Sequence, residues 1–230
     1  MSLRHADGPA TATALVWDWP LRAFHWSLVL AVAGSFATHY AGIEWFDWHR
    51  RCGYVVVVLI GFRLAWGFVG PRYSRFSTFL RGPAVVIEHL RGRHPYPVAG
   101  HNPVGAVSVL AFLGSLAMQA GTGLFANDEI ANAGPFYGWV TLATSNRLTS
   151  LHDLNSSILI ALIAAHLIAI AWYDGLRRIG LVRAFWTGRK TGAEGIRSSR
   201  GGLALAIVMA LIVALALAIR AAPEASVSFF

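Results

Sequence analysis

Apolar and polar positions alternate in long blocks along this chain, not at the short periods of a soluble domain. Five apolar runs stand out, at about residues 21–41, 48–69, 102–125, 151–173 and 203–219. Each approaches the roughly 20 apolar residues that an α-helix needs to cross a bilayer. The pattern predicts an all-α membrane protein with five spans. Breaks between runs carry helix-stop chemistry: Gly70-Pro71 after the second, and Asn102-Pro103, a cap followed by proline, before the third. The 72–100 segment is basic and punctuated by Pro and Gly, with a short surface helix predicted at 84–90. Residues 127–150 read as a mildly acidic loop, 174–202 as a basic loop, and 1–15 as a loose, flexible tail.

Composition agrees with membrane burial. Of 230 residues, 56% are hydrophobic and 13% charged, and mean hydropathy is +0.54, too apolar for a soluble domain. The net charge of +8 does not imply nucleic acid, because the cations sit in loops where membrane topology explains them. Most Lys and Arg fall in the tail and in the 72–100 and 174–202 loops; Arg50, Arg51, Arg147 and Arg220 lie on the other side. By the positive-inside rule the N-terminus is expected in the cytoplasm and the C-terminus in the periplasm. Ala31-Val32-Ala33 is faintly cleavage-like, but weak flanking charge and the later spans argue against a signal peptide. The single cysteine, Cys52, excludes an internal disulfide and a C-x-x-C-H attachment for covalent haem.

Against this background the histidines carry the chemistry, since an ionisable residue within a span is a functional candidate by default. His152 and His166 are fourteen residues apart on the fourth run. On an α-helix that spacing places them on nearly one face, roughly 21 Å apart along the axis. His25 and His39 repeat the spacing on the first run, and His49 opens the second. Alternating span direction sets His25 and His166 near the inner surface, and His152 near the outer surface with either His39 or His49 as partner. Gly53, one turn after His49, would let a flat macrocycle approach. Two imidazoles at each of two depths, with no Cys, Asp or Glu cluster beside them, suit haem iron better than zinc or copper. Helix packing explains the span glycines equally well, and buried histidines in a haem-free transporter or assembly protein are the alternative reading.

Several motifs occur together: Trp17-Asp18 with Arg22 and His25-Trp26; His49-x-x-x-Gly53-Tyr54 with Arg63, Trp66-Gly67 and Gly70-Pro71-Arg72; His101-Asn102-Pro103; then His152 and His166. In this set the chain resembles the bacterial cytochrome b561 family, which includes the di-haem b-type cytochrome subunits of nickel–iron hydrogenases. The resemblance covers about residues 16–190. It implies a four-helix transmembrane haem-binding bundle, here with a fifth C-terminal span after a basic linker within 191–230. It also implies two non-covalent b-type haems held by His25, His49, His152 and His166, and so favours His49 over His39. The implied activity is electron transfer across or within the bacterial inner membrane, between membrane quinone and a redox partner: a hydrogenase, another dehydrogenase or a c-type cytochrome. Lipid is the remaining partner.

Among the other polar residues, Arg22 and Arg63, with Arg50 and Arg51, are candidates to pair with haem propionates, for which the guanidinium fork is well shaped; snorkelling explains them as readily. His39 reads as an interfacial residue or haem neighbour, His101 as marking the start of a helix, and His5, His89 and His94 as solvated loop residues. Cys52 reads as packing. Trp17, Trp19, Trp45, Trp48, Trp139 and Trp172 read as interface anchors.

Overall fold

A computed structural model describes residues 13–93, 100, 102–130 and 132–223; His5, His94 and His101 lie outside them. Helix α1 (Trp19–Ala41) starts where Asp18 accepts from the Leu21 amide at 2.8 Å, with Pro20 in the first turn. It stops at Gly42, whose φ of +109° favours glycine. One 3₁₀ turn, Ile43–Trp45, reverses the chain into α2 (Phe46–Val69), which ends at Gly70-Pro71. α1 and α2 form a close antiparallel hairpin, with Cys52 Sγ 3.0 Å from where a Gly34 Cβ would stand. Here Cys52 is a packing residue, as its size suggested.

Two short helices follow, α3 (Phe76–Phe79) and α4 (Pro83–Leu90). The surface helix predicted at 84–90 is therefore present. His89 lies on it, half-buried, and not in a solvated loop. α5 (Pro103–Gly123) is capped by Asn102, which accepts from Gly105 N at 2.6 Å.

α6 (Leu142–Ile170) begins nine residues before the apolar run at 151. Its first turns look loop-like in sequence because they bury polar groups against a polar loop. Ser145, fully buried, donates to the Phe125 carbonyl at 2.6 Å, and Asn127 Nδ2 donates to Ser145 Oγ at 2.6 Å. α6 then runs into a π-helical turn, Ala171–Leu176.

The basic segment after it is structured as well. α7 (Leu181–Thr187) is capped by Asp174, which accepts from the Leu181 and Val182 amides. Gly188 (φ +77°) turns the chain so that its carbonyl accepts from the Val16 and Trp17 amides, at 2.8 and 3.0 Å. β2 (Arg189–Thr191) then pairs antiparallel with β1 (Thr13–Leu15), Thr13 opposite Thr191. The described end of the expected loose tail is thus a strand. α8 (Gly201–Ala221) packs on α2.

Among the described residues four helices are long and apolar enough to cross a membrane: Ile43–Val69, Pro103–Gly123, Leu142–Leu176 and Gly201–Ala221. α1 has 23 residues, enough in length, but Arg22, His25 and His39 dilute its apolar face and it is not among the four. The α8 window has a mean hydropathy of 3.0 with 6% buried inside the protein. Its remaining apolar surface is compatible only with lipid as solvent. The protein is a multi-pass, all-α membrane protein.

Two apolar clusters hold the bundle. One lies at the end bearing the α1 N-terminus, around Trp17, Leu21, Phe62 and Trp66. There the buried Asp18 carboxylate also accepts from Trp66 Nε1 at 3.1 Å and from Ser74 Oγ, tying α1, α2 and the following loop together. The other cluster is Ala31, Val56, Ile60, Leu113, Leu116 and Leu159. Leu159 is seven residues from both His152 and His166, and Val56 is seven from both His49 and Arg63. This cluster therefore lies midway between the two histidine levels.

Candidate histidine sites

The site at the expected outer level, called outer for that expectation alone, gathers side chains from three helices. His49 stands in the first turn of α2, His39 in the last turn of α1, and His152 a third of the way along α6. The His49 and His152 ring centres are 6.3 Å apart, and those of His39 and His49 are 5.9 Å apart.

Both pair members are oriented by main chain. His49 Nδ1 is 2.9 Å from the Ser35 carbonyl, and His152 Nδ1 is 2.9 Å from the Gln119 carbonyl. A carbonyl oxygen can only accept, so each Nδ1 carries the proton and each Nε2 of a neutral ring keeps its lone pair. Such a bond fixes ring orientation and raises ligand basicity. A metal bonded to both Nε2 atoms at about 2 Å would hold the ring centres roughly 6 Å apart, close to the separation found.

Room is present as well. A cavity of about 520 Å³, within the range of cofactor pockets, is lined by His39, His49, Gly53, Gly123 and His152. No heavy atom lies within 4 Å of where a Gly53 Cβ would stand. At Gly123, by contrast, a Cβ would fall 2.9 Å from His152 Cε1, so only glycine lets that ring seat against α5. Among the described residues no three His, Cys, Asp or Glu side chains are disposed to hold a single ion.

At the inner level stand His25 of α1 and His166 of α6. Its surroundings are aromatic. The His25 ring centre is 4.9 Å from that of Phe185 on α7 and 5.2 Å from Trp26, and His166 is 5.6 Å from Phe112. His25 Nδ1 is buried without a hydrogen-bond partner.

Arg63 follows His49 by fourteen residues on α2, which puts it on the same face at the inner level. It is 2% exposed, lies 4.8 Å over the Phe76 ring, and both terminal nitrogens lack partners. A buried guanidinium with unspent donors is costly unless an anion meets it. Arg22 donates through Nη1 to the Trp186 carbonyl at 2.5 Å, while its Nε is buried and unpartnered. Of the other arginines, Arg50 pairs with Asp47 at 2.6 Å and Arg51 lies over the Trp48 ring.

Sequence reasoning found the histidines and missed what seats them. Gly123, Gln119 and Asn155 carry no motif. Their roles follow from the register of α5 against α6, which a single sequence does not encode locally.

The donors suit haem iron: at the outer level two imidazoles with committed Nδ1 atoms border an open volume, and at the inner level two histidines stand with unpartnered guanidinium nitrogens. No curated protein sequence and no solved structure matches the chain. A family model described as prokaryotic cytochrome b561 matches residues 16–188.

Proposed function

The chain belongs to the prokaryotic cytochrome b561 family, and from that premise we propose that it is a di-haem electron carrier of the bacterial inner membrane. The family implies a membrane-embedded b-type cytochrome in electron transfer. The finer reading is two non-covalent b-type haems, one bound by His49 and His152 and one by His25 and His166, within a cytochrome domain of residues 16–190. A haem supplies reversible one-electron chemistry at its iron.

What the residues contribute can be stated separately. The Ser35 and Gln119 carbonyls hold the outer imidazoles in the ligating tautomer. Phe185, Trp26 and Phe112 keep water from the inner pair. Arg63 and Arg22 offer buried N–H donors for propionate carboxylates.

The observation that carries this reading is the His49–His152 pair, 6.3 Å between ring centres with both Nδ1 atoms committed to carbonyls. Transport or assembly alone gives no reason for that arrangement. The partners proposed are membrane quinone and one redox protein, a hydrogenase, another dehydrogenase or a c-type cytochrome, met through the loop before α6 on the periplasmic side. The cation distribution supports a cytoplasmic N-terminus and a periplasmic C-terminus.

The test is a pigment assay on the purified chain. Two haems per chain are expected, with bis-imidazole b-type absorbance and complete extraction by acid–acetone. A colourless protein would sink the proposal, and a single haem would remove one of the two sites.

A further inference from the structure

α5 supplies no ligand, yet it seats one. Its last turns present the Gln119 carbonyl to His152, with Thr122 Oγ1 at 3.3 Å from the same Nδ1 and Gly123 leaving space for the ring. One turn beyond His152 on α6 is Asn155, 1% exposed in apolar surroundings. Its Nδ2 donates to Gln119 Oε1 at 2.6 Å and to the Ser115 carbonyl at 3.0 Å. Its Oδ1 accepts from Ser115 Oγ at 2.8 Å.

Gln119 is thus held at two points, its side chain by Asn155 and its carbonyl by His152. The bonds close a circuit: His152, along α6 to Asn155, across to Gln119, and back to His152. A residue serving only to join two helices needs no such return path. We propose that Asn155 is a positioning residue for the outer haem ligand, fixing α5 so that the Gln119 carbonyl keeps its bond to His152 Nδ1. This rests on His152 being an iron ligand.

The consequence is electronic. Donation from Nδ1–H to a carbonyl makes the imidazole a stronger donor, which favours ferric iron and lowers the potential. Loosening that bond raises it.

The experiment uses the full chain carrying its haems, with electron paramagnetic resonance and a potentiometric titration resolving each haem. In Asn155→Leu the outer haem's midpoint is expected to rise and its low-spin signal to shift, while the inner haem stays fixed as an internal control. Gln119→Leu keeps the carbonyl but removes the amide that Asn155 holds; it should reproduce the effect, and carries the test if Asn155→Leu does not fold. Ser115→Ala removes the bond to Asn155 Oδ1 alone and should leave the outer signal in place. A lower melting temperature with both haem signals unmoved would reduce Asn155 to helix–helix adhesive and overturn the proposal, as would equal changes in both haems. If the unmodified protein holds no bis-histidine haem at the outer level, the ligand assignment itself has failed, and that is visible before any variant is made.

Discussion

The outer and inner sites use the same spacing and arrive at different environments. At the outer level both imidazoles are held by main-chain carbonyls beside an open, mainly apolar cavity. At the inner level His25 leans on Phe185 and Trp26 with its Nδ1 unpaired, and a buried Arg63 stands nearby with two free nitrogens. Both candidate pairs are histidines, so if each holds a haem as proposed, what separates the two centres comes from the atoms around the rings. Carbonyl acceptors favour ferric iron at the outer site, and a buried cation disfavours it at the inner one. In the proposed di-haem carrier the inner haem is therefore expected to be the easier to reduce.

The strongest way to break the comparison is to remove an outer ligand. His152→Ala and His49→Ala are each expected to abolish or five-coordinate one haem and leave the other, read from haem content and the low-spin signal. His39→Ala should retain both. The reverse pattern for His39 and His49 would move the outer ligand to α1.

Nearly as large is Gly123→Ala. The added methyl would stand 2.9 Å from His152 Cε1, and neither the ring nor the α5 main chain can yield without losing the Gln119 bond. Haem content should fall towards one per chain, with the inner spectrum preserved. Two haems with normal outer coordination would mean that the α5–α6 interface is softer than its packing implies.

Arg63→Leu sharpens the contrast from the other side. Loss of a nearby cation favours the ferric state, so the inner midpoint should fall while the outer one holds. A buried charge is weakly screened, so the fall should be resolved by potentiometry. The smallest effect is expected at Arg72, whose guanidinium bonds Glu194 at 2.5 Å with both side chains largely exposed. That carboxylate strengthens its hold on the proton, but exposed pairs contribute little. Arg72→Ala should leave both midpoints and the melting temperature unchanged.

The sequence disclosed the parts of the molecule that repeat or that lipid selects. Long apolar runs, proline-led helix starts and the spacing of His152 and His166 were visible because each is local and periodic. The start of α6 at Leu142 was hidden because Ser145 and Asn146 are polar for a tertiary reason, their hydrogen bonds with Phe125, Asn127 and Glu129. The strand pairing of Thr13–Leu15 with Arg189–Thr191 was hidden because nothing local in either triplet names a partner so far along the chain. His49 over His39 came from the family resemblance, since depth and spacing left both open.

The apolar cluster of Ala31, Val56 and Leu159 midway through the bundle has an energetic consequence for the cell. Electrons tunnel through packed hydrocarbon over short distances, whereas protons need a chain of water or hydrogen-bonding groups. In the proposed di-haem carrier, this packed apolar layer would favour the passage of electrons over that of protons between the two levels. Electron current would then flow between them without short-circuiting an ion gradient across the membrane.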